Sequence, residues 1–193
     1  VTKGVTATCI SRLIDQGKLD SSMKVSHYWP EYGCNGKEDT KVSDLLCHRA
    51  AMFGFKDGIP EGSFQDWKKF VHRLEVQAPY SKPGSSQGYH ALTFGWLTGE
   101  LVRRVDGRSV GQYFKDEIAS PFGIDFHIGL PIIDHGRCAD MIMMERNKIK
   151  LPGEFIKYIP NFVLSTALKN FKAALISGDF HEAFQSREED AVN

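Results

Sequence analysis

Apolar residues over the first sixteen positions recur with the period of a helix. Val5, Cys9 and Leu13 are spaced by four, Ile10 and Ile14 lie beside them, and Gly17 follows as a terminator, so residues 2–16 are predicted helical. Lys18-Leu19-Asp20-Ser21 reads as a turn, and a short apolar segment ends at Trp29-Pro30-Glu31-Tyr32. Thr40 is placed to cap a short helix carrying Val42, Leu45 and Leu46. Ser63-Phe64-Gln65-Asp66 has the form of a capping box with Asp for Glu, ahead of a helical face marked by Trp67, Phe70, Val71 and Leu74. Residues 90–105 repeat the helical pattern through Leu97, Leu101 and Val105, and Asp106-Gly107 ends it. Ser109 caps a further helix that stops before Pro121. Ile124, Phe126 and Ile128 alternate with Asp125, His127 and Gly129, which predicts a short strand. Residues 141–144 read as extended, 160–184 as helical, and 187–193 as a charged, frayed tail. The turn-forming stretches 33–39, 49–62 and 79–88 are loops, so the chain is mainly α.

A length of 193 residues suits one domain or one large lobe of a bigger one, and 41% apolar residues with three tryptophans can fill a core. Lys plus Arg equals Asp plus Glu at 24 each, which gives no reason to expect nucleic acid or an anionic membrane as partner. No apolar run approaches the ~20 residues of a membrane span. The cysteines at 9, 34, 47 and 138 share no C-x-x-C spacing and read as reduced, mostly buried thiols. The first residue is valine, so the true N-terminus is expected upstream and the lack of a signal peptide carries no information.

Candidate chemistry begins at Val1-Thr2-Lys3. A serine directly ahead of Val1 would complete Ser-x-x-Lys, with hydroxyl and ammonium on one helical face. A serine hydroxyl is a weak nucleophile until a neighbour takes its proton, and a lysine kept neutral by burial can take it. Alone, Lys3 reads as an ordinary solvated lysine, and only its context points to chemistry. It is followed in order by Gly17-Lys18-Leu19-Asp20, by Tyr28-Trp29-Pro30-Glu31, and by Val42-Ser43-Asp44-Leu45-Leu46-Cys47-His48. Pro83-Gly84 then precedes Tyr89-His90-Ala91 at the head of the next predicted helix. This order resembles the serine β-lactamase-like family, which spans class C β-lactamases, D-alanyl-D-alanine carboxypeptidases, penicillin-binding-like proteins and related esterases. The resemblance is strongest over residues 1–130.

The resemblance implies a fold and a site. The fold would be the helical lobe of the β-lactamase/transpeptidase-like α/β fold, with most of the sheet lobe absent, as a single partial domain over 1–193. Such a lobe would expose apolar surface and be marginally stable alone. Lys3 would activate serine, and Tyr89 would act as general base and then general acid. The substrate would be a small ester, amide or β-lactam, with no cofactor. The family's asparagine position is Ala91 here, which puts the substrate class in question. The third motif, a Lys-Thr-Gly or His-x-Gly strand, has no counterpart. Leu97-Thr98-Gly99 falls in a predicted helix and His135-Gly136-Arg137 comes too early. Without serine and third motif the chain is expected to be inactive, and the alternative is a non-catalytic relative serving as a binding or assembly module. The segment 102–110 and Pro121-Phe122-Gly123-Ile124 read as scaffold. His127, His135 and Cys138 lack a zinc spacing, so no metal is expected. His48 reads as a core or loop histidine, and Met141, Met143 and Met144 as core filler.

Overall fold

The computed structural model describes residues 1–59, 64 and 66–139. Helix α1 (Thr2–Asp15) buries Thr6, Cys9, Ile10 and Leu13, the face given by the four-residue spacing. Gly17 ends it with φ of +67°, and the Lys18 and Leu19 N–H groups fold back onto the Leu13 carbonyl. A short helix, α2 (Val25–Tyr28), leads into a 3₁₀ turn at Pro30–Tyr32, and α3 (Val42–Leu46) follows the 33–39 loop. The N-cap of α3 is Lys41 rather than Thr40, and the Asp44 carboxylate accepts the Lys41 N–H at 3.0 Å. The Thr40 main chain is engaged elsewhere: its carbonyl accepts from Val25 in the isolated bridge region that ties 24 to 41.

Helix α4 (Trp67–Val76) is capped by Asp66, whose side chain accepts from the Lys69 N–H. Ser63, the other end of the expected box, lies outside the described residues. Phe70, Val71 and Leu74 are buried, and the Phe70 and Trp96 rings stack with centroids 3.8 Å apart.

Helix α5 (Thr93–Asp106) is the central element and packs against α1, α2, α3, α4 and the following helix. It begins three residues later than its apolar pattern predicts, after a turn at 91–92. It is buried over most of its girth, including Glu100, whose carboxylate receives Arg103, Arg104 and Trp67. Burial pushes the Glu100 carboxyl up, but these three donors outweigh it and hold it below the usual range. Gly107 closes α5 in the left-handed region.

Ser109 then caps α6 (Val110–Phe114), accepting from the Gln112 N–H at 3.2 Å. The chain does not stop before Pro121. It continues through a wider π turn (Lys115–Ala119) into α7 (Ser120–Phe122). The widening sits just ahead of the proline, which has no N–H to donate to a preceding carbonyl.

The expected strand at 124–128 does not form. Phe126 and Ile128 are drawn onto the core, and the Ile128 carbonyl presses on Gly111 of α6, so the alternation serves packing on a helix rather than pairing with a strand. The described residues contain no β-strand, consistent with a helical lobe. A 3₁₀ helix (Ile132–Arg137) carries His135-Gly136-Arg137. The extended 141–144, helical 160–184 and frayed 187–193 expectations, and the methionine cluster, lie outside the described residues. All four cysteines are free, but only Cys9 is buried, while Cys47 and Cys138 are exposed. The sequence overstated their burial because none of the three others sits on the core face of a helix. No helix among the described residues is long and apolar enough to cross a membrane.

Candidate active site

Lys3 stands in the first turn of α1, and Tyr89 in the loop ahead of α5. The packing of α1 on α5 brings the two together across 86 positions of chain. The Lys3 Nζ lies 5.2 Å from the centroid of the Tyr89 ring, against its face rather than at the phenol oxygen. The same Nζ donates to the Ala91 carbonyl at 2.6 Å. Ala91 therefore has no side-chain amide to hold the lysine, but its main chain does so. A backbone carbonyl is present at every residue, so nothing in the sequence could have signalled this contact. Lys3 is half-buried, and Tyr89 is 62% exposed, its rim open to solvent.

His48 also packs on Tyr89, with ring centroids 4.9 Å apart. It occupies the loop after α3, as expected, but its contacts make it part of the site. Its ring also packs on His90 and Phe94, at 5.4 and 5.0 Å. The His48 Nδ1 accepts the His90 N–H at 3.2 Å. Burial first, then the Lys3 charge, holds the His48 imidazole below its ordinary value, which favours the neutral ring that accepts. His90 beneath it is fully buried, and its Nε2 accepts the Met52 N–H at 3.1 Å. Burial, with a smaller contribution from His48 and an opposing one from the Gly88 backbone, pushes His90 down to about 4. The Leu45-Leu46-Cys47-His48 motif was the available signal for His48, though its partner residue was not legible from it.

The remaining candidates fall elsewhere. Leu97-Thr98-Gly99 is interior to α5, where the Thr98 hydroxyl donates to the Phe94 carbonyl. His127 pairs with Asp125 and Asp134, and no group of three or more His, Cys, Asp or Glu is placed to hold a metal among the described residues. Arg108 joins Asp106, Asp116 and Glu117, the scaffold role expected of the 102–110 segment. A groove of about 520 Å³ between the 39–49 and 82–85 segments is lined by Asp39, Lys41, Asp44, Arg49 and Lys82, and includes neither Lys3 nor Tyr89.

The Esterase/beta-lactamase LipL of Mycobacterium tuberculosis is 40% identical over 144 residues, covering 74% of this chain and 33% of that protein. A penicillin-binding protein homologue from Caulobacter crescentus superposes with a TM-score of 0.71 at 40% identity, over 74% of this chain and 38% of that one. A family VIII carboxylesterase superposes with a TM-score of 0.70 at 41% identity, over 73% and 39%. The chain spans about one third of the length of the curated relatives it matches. The Beta-lactamase family model matches residues 1–159, which contain Lys3, His48 and Tyr89, and the chain belongs to the β-lactamase family.

Proposed function

We propose that this chain carries the proton-handling half of a serine hydrolase site that works through an acyl-enzyme, with a small ester as the foremost substrate and amides or β-lactams beside it. The observation that carries the reading is the meeting of Lys3 with Tyr89 and the Ala91 carbonyl at the junction of α1 and α5. Extending α1 back by two residues, through Val1, brings the position ahead of Val1 three residues from Lys3 and onto its face. A serine there would lose its proton to the Lys3–Tyr89 pair as it attacks the carbonyl carbon. The tetrahedral intermediate would collapse as Tyr89 returns a proton to the leaving oxygen, and water would then release the acyl group by the reverse sequence. Esters are placed first because two relatives are named as esterases, and because Ala91 offers no amide side chain to an amide substrate.

The test is hydrolysis of p-nitrophenyl butyrate and a chromogenic cephalosporin by the protein with whatever sequence flanks residues 1–193 in its gene. Lys3→Ala and Tyr89→Phe should each lower kcat by about 10²–10⁴-fold. A fluorophosphonate adduct should map to the position ahead of Val1. Unchanged kcat in both variants would refute the reading. The replacement of the family's asparagine by Ala91 favours a second reading, a non-catalytic relative serving as a binding or assembly module. That reading requires binding without turnover by the same protein.

A further inference from the structure

His48 makes contacts that neither the Lys3–Tyr89 pair nor the packing of the core accounts for. Its carbonyl accepts the Gly88 N–H at 2.9 Å, and its Nδ1 accepts the His90 N–H at 3.2 Å. These are the two residues on either side of Tyr89. Its ring packs at the same time on the Tyr89 ring. One residue thus holds the tyrosine by both main-chain neighbours and by its side chain. To do so it adopts φ of +58°, a conformation that a residue with a Cβ rarely takes. The Tyr89 ring also meets the Lys3 ammonium.

We infer that His48 is the positioning residue of this site: it clamps the 88–90 segment so that the Tyr89 ring stays against Lys3. The inference rests on Tyr89 being the proton carrier of the proposed reaction. Tyr89 is exposed and lies in the loop ahead of α5, where its ring meets His48 and Lys3. A displacement of about 1 Å at a proton-transfer group is enough to cost on the order of 10²-fold in rate. His48 itself touches no reacting atom and acts only through Tyr89.

Three variants and two readouts test this. His48→Gly retains the left-handed backbone and the Gly88 bond, but removes the ring and the Nδ1 acceptor. His48→Asn tolerates the same φ and restores an acceptor, since its side-chain oxygen takes the place of Nδ1. Tyr89→Phe is the reference for the tyrosine. Amide hydrogen exchange at His90 should quicken at least tenfold in His48→Gly, hold near wild type in His48→Asn, and leave Gly88 protected in both. On p-nitrophenyl butyrate, His48→Gly should lose about 10–100-fold in kcat with KM nearly unchanged, and His48→Asn should recover most of it. Unchanged exchange at His90 in His48→Gly, or equal kcat in the glycine and asparagine variants, overturns the clamp. If exchange responds as stated while Tyr89→Phe keeps full kcat, the tyrosine's role has failed, and the clamp's effect on rate fails with it.

Discussion

At the scale of single residues, His90 couples the site to pH. Its Nε2 accepts the Met52 N–H, so a second ring proton would set N–H against N–H in a fully buried position. The folded ring titrates at about 4, against 6.5 for an ordinary histidine. Between these values the unfolded chain binds a proton that the folded chain refuses, so stability falls as pH falls from 6.5 toward 4. The full loss is about 3 kcal/mol. His90→Gln keeps an uncharged acceptor for Met52, and its melting temperature should drop less steeply over that window than the wild type's. Parallel curves would show that the ring protonates without cost. His48, held low in the same direction, adds to the wild-type slope. The carbonyl that holds Lys3 belongs to this scale too: Ala91 lacks the family's side chain, yet the lysine is still anchored.

At the scale of elements, α5 organises the molecule, and α6 sets the path of the 124–128 segment. Two glycines within these helices have opposite constraints. A Cβ on Gly95 of α5 would meet no atom within 4 Å, so Gly95→Ala should stabilise by about 0.5–1 kcal/mol through helix propensity. A Cβ on Gly111 of α6 would come 2.0 Å from the Ile128 carbonyl. Gly111→Ala must therefore push the 126–128 segment off the helix, at about 1–3 kcal/mol. Urea denaturation of both variants reads the contrast, and equal midpoints would contradict the packing described. The same contact explains the missing strand. Alternating apolar residues look the same whether their partner is a strand or a helix face, and only the position of α6 tells them apart. Likewise, the helix at 42–46 was legible from its apolar spacing, but its cap was not. Thr40 and Lys41 are adjacent, and Thr40 is taken by the bridge to 24–25.

At the scale of the whole molecule, distant segments are tied by buried polar groups rather than by apolar contact alone. Lys37 is buried, with its Nζ donating to the carbonyls of Cys34, Glu75 and Gln77 at 3.0, 2.8 and 2.6 Å. It fastens the 33–39 loop to the end of α4. Lys37→Met has similar bulk but leaves three carbonyls without their donor, and should lower stability by about 3 kcal/mol. Denaturant titration at or above wild-type stability would show instead that burying the ammonium costs more than its bonds return. By itself, the sequence determined the helices with strong local period, α1, α4 and α5, because their core faces are written at spacings of three and four. It also determined the family, because Lys3, the Leu-Leu-Cys-His segment and Tyr89 stand in a fixed order. Tertiary structure alone decided what those residues touch. The Ala91 carbonyl is a main-chain atom that any residue carries, and the His48 Nδ1 meets the His90 N–H only once a φ of +58° aims it and the fold brings α1 and the 88–90 segment together at Tyr89.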